Sequence, residues 1–148
     1  MKDRLTLFTK YILDFMFFAG IVVIITLPGI IKFVAEYNEY FKKYYFLQLF
    51  LYFVSGVFAI LIIGELRKIF KTVISGDCFR KENVQSLKRM GNYSFVIALS
   101  TIFRGIIYMT TAVIVIVLVF VIAGLFSKVL SKVFDRAVYY KLENDMTI

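Results

Sequence analysis

The stretch GNYSFVIALSTIFRGIIYMTTAVIVIVLVFVIAGLFS, running from Gly91 to Ser127, decides the fold. A hydrocarbon core of about 30 Å takes roughly 20 helical residues to cross, so this run is too long for one passage and only just long enough for two. Arg104 and the pair Thr110-Thr111 interrupt it, which predicts a tight hairpin turning between Phe103 and Thr111. Lipid cannot hydrogen-bond a bare backbone, so each half must be helical. Ala112 to Phe126, rich in Val and Ile, is the cleanest core of a span. The earlier span starts inside a polar helix near Leu87, with Lys88 and Arg89 snorkelling to the headgroups.

Two more apolar runs precede this pair. The spans are predicted at residues 11–34, 44–63, 87–107 and 109–130, with a loop at 64–86 and a tail at 131–148, all in one membrane domain over 1–148. Phe15 to Ile31 exceeds a typical signal-peptide apolar core and ends in no clear small-residue cleavage site, so it reads as a retained helix. Pro28 sits near its outer end, where a neighbouring helix or water can serve the carbonyl it frees. An apolar content of 61% is well above the roughly 45 to 50% of soluble domains. With no Trp, Tyr37, Tyr40, Tyr44 and Tyr45 are the expected headgroup-level anchors.

The cations fix the expected orientation. Of 18 Lys and Arg, fourteen precede span one, lie between spans two and three, or follow span four. Lys32, Lys42, Lys43 and Arg104 alone occupy the other side. The positive-inside rule then places both termini and the 64–86 loop in the cytoplasm. The net charge of +8 is explained by this asymmetry, and no direct nucleic-acid binding is expected from it. The fold class is therefore all-α integral membrane: an antiparallel four-helix bundle, both ends in, with amphipathic cytoplasmic extensions of helices 2 and 4. Leu66, Ile69, Phe70 and Val73 carry the first extension, and Val129, Leu130, Val133, Phe134 and Ala137 the second, each at helical spacing between cations. Packing within the bundle is the favoured use of these faces, ahead of a partner groove.

One cysteine, Cys78, and no histidine leave no disulfide framework and remove the commonest zinc ligand, haem ligand and acid/base catalyst. No catalytic residue, metal site or cofactor is expected, and the chain does not read as an enzyme. Ser75-Gly76-Asp77-Cys78-Phe79 joins the second helix to the third: Gly76 can adopt the positive φ that ends a helix, and Asp77 is expected to cap the next.

This turn with its continuation Arg80-Lys81-Glu82-Asn83-Val84, and the terminal Leu142-Glu143-Asn144-Asp145-Met146-Thr147-Ile148, resemble a bacterial family catalogued as domain of unknown function 2975. In that family a Gly-polar-x-Phe turn precedes Glu-Asn-Val, matched here by Gly76, Phe79, Glu82, Asn83 and Val84. The family tail ends Glu-Asn-Asp-Leu-Thr-Ile; Met146 replaces the Leu, and Cys78 stands where a Pro is frequent. The resemblance implies a small four-span protein of the bacterial cytoplasmic membrane, often encoded beside a small helix-turn-helix regulator. It implies no biochemical activity.

The leading functional expectation is thus a non-enzymatic regulatory or scaffold protein that engages a cytoplasmic partner such as a transcription regulator. The alternative is a peptide-immunity or small-solute transport protein. Gly76, Phe79, Glu82, Asn83, Glu143, Asn144 and Asp145 are the candidate partner-binding or structural motif, and the tail is expected to fold back so that Asn144 meets Asn83. Two intramembrane charges stand apart. Asp14 either belongs to an ion path or pairs with Lys10 or a basic residue of the second loop, the pairing favoured by its shallow position. Arg104 either binds an anionic ligand or lipid, pairs with Glu36 or Glu39, or snorkels. Gln48, Ser55, Ser94, Ser100 and Thr101 read as interhelical packing groups. The bilayer is the expected surrounding, and small residues on the helix faces leave a homo-oligomer open, without a Gly-x-x-x-Gly pair to support it.

Overall fold

The computed structural model describes residues 4–146, without the side chains of Tyr40 and Phe41. Expectations resting on Lys2, the Tyr40 ring, Thr147 and Ile148 therefore lie outside the described residues. Five helices follow in order: α1 Arg4–Ala35, α2 Glu39–Lys43, α3 Tyr45–Ser75, α4 Lys81–Ile107 and α5 Thr111–Met146. All but α2 are long and apolar enough to cross a membrane. Among the described residues there is no strand.

The hairpin in the long apolar run occupies only Tyr108 to Thr110. It closes there because Thr110 Oγ1 accepts the Val113 N–H at 3.3 Å, satisfying one of the free donors at the start of α5. α3 runs unbroken for 31 residues, about 46 Å at 1.5 Å per residue, and α5 for 36, about 54 Å. Both are longer than the hydrocarbon thickness.

α1 packs on α3, α3 on α4 and α4 on α5, while α1 has at most slight contact with α4 or α5 among the described residues. The expected bundle is therefore an open one, its ring not closed between α1 and α5. Glycines set the spacing. Ile60 lies over Gly20 and Ile24 over Gly56, where an added Cβ would come within 3.1 and 3.2 Å of them, bringing α1 close to α3. At Gly91 a Cβ would meet the Gly124 carbonyl at 3.1 Å, and at Gly124 it would strike the Phe95 ring at 2.7 Å. The small residues considered for a homo-oligomer are thus used, in these cases, inside the chain.

α4 carries most of the buried surface and is the hub of the fold. Its Leu87 and Met90 form a core with Ile69 of α3, joined by Leu66 and Val73 of α3 and Leu130 and Phe134 of α5. Of the predicted apolar faces, Leu66, Ile69, Val73, Leu130 and Phe134 pack here, whereas Val129 and Val133 are exposed.

Tyr45 donates its hydroxyl to the Pro28 carbonyl at 3.2 Å and ties the Pro28 end of α1 to α3. Proline at 28 bends hydrogen bonding away from the regular ladder nearby. The carbonyl left without its helical donor by Pro28 is that of Ile24, four residues earlier, so the phenol adds a contact between the helices and does not replace the lost bond.

Candidate functional site

The turn between α3 and α4 is built by Gly76. With φ at +85° it is the one residue described with positive φ, a conformation that costs other residues roughly 1–2 kcal/mol. Gly76 N–H donates to the Val73 carbonyl at 3.1 Å and Asp77 N–H to the Thr72 carbonyl at 3.0 Å, the paired bonds of a Schellman ending. Asp77 does not cap α4, contrary to expectation. The cap position is Arg80, whose side chain makes no cap bond; Asp77 lies three residues before it, separated by a tight bend in which Arg80 N–H donates to the Cys78 carbonyl at 3.1 Å. The Asp77 carboxylate instead accepts from Arg80 Nε at 3.0 Å and from Lys141 Nζ of α5. Those two hydrogen bonds, Lys141's first, hold its pKa below the usual 3.8.

Asn83 is buried and spans the turn: its Nδ2 donates to Thr72 Oγ1 at 2.7 Å and to the Cys78 carbonyl at 2.5 Å. Its role is structural, since these bonds lock the start of α4 to the end of α3. Leu142 to Met146, the described part of the tail, continue α5. α5 stays helical through Met146, carrying Glu143, Asn144 and Asp145 exposed on its last turn. Contact between α5 and the turn runs through Lys141 with Asp77 and through Phe134, whose ring meets Phe79 edge-on at 5.3 Å. Phe79 and Glu82 are exposed.

Beside this turn, α3 and α4 enclose an open cleft of about 580 Å³. Lys68, Lys71, Arg80 and Arg89 line it, with Glu82 the sole acid among its lining residues. Arg80 and Arg89 are compensated by Asp77 and Glu65, so the positive character of the cleft rests on the exposed Lys68 and Lys71, which favour anionic groups.

At the foot of the cleft a chain of polar contacts joins all four long helices. Arg67 of α3 donates Nε to Asp14 of α1 at 2.8 Å, with its guanidinium 4.5 Å from the centre of the Phe17 ring. Arg89 of α4 grips Glu65 of α3 as a fork, Nε to Oε1 at 3.0 Å and a terminal nitrogen to Oε2 at 3.2 Å. Lys128 of α5 reaches Asn92 of α4 at 2.6 Å. Asp14 is thus paired with the second-loop cation Arg67, not Lys10, and Arg89 is fastened to a carboxylate where snorkelling was expected. Glu65, only 6% exposed, is the residue sequence reasoning missed. Its signal was an acid two positions beyond Ile63, where the apolar run ends.

At the opposite ends of α3 and α4 the arrangement differs. Arg104 is 8% exposed, so it neither snorkels nor pairs with Glu36 or Glu39. Its guanidinium lies 4.1 Å from the centre of the Tyr52 ring and donates to Thr101 Oγ1 at 3.3 Å. Ser55 bonds Ser100 across α3 and α4 at 3.1 Å, as expected of a packing group. Ser94 and Thr101 differ: each bonds the carbonyl four residues back in its own helix. Among the described residues no group of His, Cys, Asp or Glu is placed to hold a metal ion.

The model of the DUF2975 family, described as a protein of unknown function, matches residues 9–148. The chain belongs to this family. No curated protein and no solved structure matches it. DUF2975 membership agrees with four membrane-crossing helices and carries no activity with it. Within this DUF2975 chain, the residues that made the resemblance divide into two groups: Gly76 and Asn83 build the turn, whereas Phe79, Glu82 and the last turn of α5 remain accessible on its surface.

Proposed function

We propose that this DUF2975 chain is a non-enzymatic regulatory protein of the bacterial cytoplasmic membrane, an antiparallel bundle with both termini inside, whose α3–α4 cleft engages an acidic cytoplasmic partner. The observation that carries this reading is the cleft itself: two exposed lysines, Lys68 and Lys71, on a scaffold rigidified by Asn83 and by the Glu65–Arg89 fork, beside the exposed edge of Phe79. A rigid basic concavity with an aromatic at its rim suits an acidic protein surface, since opposite charge steers encounter and an aromatic anchors it. A small helix-turn-helix regulator is the partner class suggested by the gene neighbourhood associated with such proteins. The outward continuation of α3 and α5 beyond the bilayer supports an interaction platform on that side. Asp14, the carboxylate that an ion path would have used, is engaged by Arg67.

The test is crosslinking in native membranes followed by identification of the captured cytoplasmic protein, repeated with Lys68→Glu and Lys71→Glu together. Capture should fall roughly tenfold on reversing these two charges, and fall likewise at high salt, while the melting temperature in detergent holds. A specific partner whose capture ignores both charge reversal and salt would defeat the proposal.

A further inference from the structure

We infer that the hairpin end of the protein holds an anionic phospholipid with a hydroxyl-bearing headgroup, of the phosphatidylglycerol type, between α1 and α5. The inference is independent of the partner reading above, since it concerns the opposite ends of α3 and α4.

Two buried side chains there have polar atoms that no protein group serves: Arg104 Nε and Gln48 Oε1. Both line one cavity of about 250 Å³, together with Tyr52, Tyr108 and Thr110. Gln48 is 2% exposed, and Arg104 has no carboxylate partner among the described residues. A buried cation with only a tyrosine face and a hydroxyl for company lacks a counter-charge, and a buried amide oxygen without a donor costs roughly 1–3 kcal/mol. The pair therefore asks for a ligand that brings an anionic acceptor to Arg104 and a donor to Gln48.

A second cavity, about 280 Å³, continues from the first: Tyr52, Arg104 and Ile116 line both. Its walls are apolar and come from all four long helices, with Ile24 and Leu27 of α1 facing Ile116 and Phe120 of α5 across it. This slot lies where the ring of helices stays open. A polar socket leading into an apolar slot has the shape of an amphiphile. Gln48 stands about one turn inside the start of α3 and Arg104 about one turn before the end of α4, roughly 5 Å from those ends, near headgroup depth.

Headgroup chemistry selects among lipids. A fatty-acid carboxylate would serve Arg104 but brings Gln48 no donor. An ethanolamine headgroup brings a donor, yet its own ammonium cancels the phosphate and leaves Arg104 uncompensated. A phosphodiester carrying free hydroxyls meets both needs: phosphate oxygens accept from Arg104, a hydroxyl donates to Gln48 Oε1, and one acyl chain follows the slot.

Native mass spectrometry of the full chain, released from vesicles of equal phosphatidylglycerol and phosphatidylcholine, tests this directly. Phosphatidylglycerol should be retained over phosphatidylcholine by roughly tenfold, as one charge-assisted contact provides. Gln48→Glu gives Arg104 an internal counter-ion, so this variant should fold with an unchanged or higher melting temperature and lose the preference. Arg104→Gln should lose it too. Equal retention of the two lipids would mean that water fills the socket, and an undiminished preference in Gln48→Glu would place the lipid elsewhere; either result overturns the inference. Glycerol 3-phosphate added in detergent should leave the melting temperature unmoved, and protection by it would reassign the socket to a soluble phosphate ester.

Discussion

Glu65 shows how one side chain can set the register of two helices. Its carboxylate is buried on α3 and satisfied by both arms of the Arg89 guanidinium, with Lys68 at 3.7 Å and Ser86 bonded to the same arginine. The planar fork fixes direction as well as distance, which a lysine in the same place would not do. Removing the arginine alone should be the costly change, because it strands a desolvated carboxylate. Arg89→Met is expected to destabilise the protein by about 2 kcal/mol, less than a fully buried pair would cost because Arg89 is partly exposed. Glu65→Gln together with Arg89→Met should recover a good part of that loss. Thermal unfolding of the single and double variants in detergent forms the cycle, and additive losses would deny the coupling. None of this pairing could be read from the sequence: the partners lie 24 residues apart, and an acid just past an apolar run looks the same whether it is solvated or clamped.

At the scale of elements, the last turns of α5 are tied to the α3–α4 turn by Lys141 with Asp77 and by Phe134 against Phe79, with Val138 buried between them in sequence. Asp77 has a lowered pKa, held down by the bonds from Lys141 and Arg80, so the native state binds its proton less readily than the unfolded chain. The stabilisation is therefore fully present above the ordinary value of 3.8 and is lost as pH falls through the lower native value. Hydrogen exchange at residues 135–146 should be flat from about pH 7 to 5 once corrected for intrinsic rates, then accelerate in acid, while the middle of α5 stays protected. Lys141→Ala should give fast exchange of this segment at every pH, and an unaltered profile would show that the contact holds nothing. The α3–α4 turn was legible in advance because glycine's access to positive φ is a local property that Gly76 advertises. The end of α5 was not. Leu142 to Ile148 reads as polar then apolar, which fits a returning tail as well as a helix end; Lys141 and Phe134, well upstream, turn out to make the contact. Capping by Asp77 failed as an expectation for a similar reason, since α4 starts four residues after it and its carboxylate meets Lys141 of α5 instead.

For the whole molecule, the number of membrane crossings was legible because lipid imposes it: apolar length and the need for internally bonded backbone leave little choice. Which helices touch was not, because α1 and α5 present apolar faces that suit a neighbour or an acyl chain equally well, and only the packing at Gly20, Gly56, Gly91 and Gly124 decides between them. The α3–α4 turn and the α4–α5 hairpin are separated by a single crossing, so they must face opposite sides of the membrane whatever the orientation. Cys78, the chain's one cysteine, already marks the turn. A membrane-impermeant maleimide should label it in inverted vesicles and leave it unlabelled in intact cells, because the cations cluster around it. With Cys78→Ser and Thr110→Cys the pattern should reverse, the hairpin being reachable from outside intact cells. Labelling of both positions from one side would mean that α4 does not cross, and the four-span arrangement would then fail along with the orientation. Reversal with the sides exchanged would keep the four crossings and remove the cleft from the cytoplasm, which would end the partner proposal while leaving the lipid site intact.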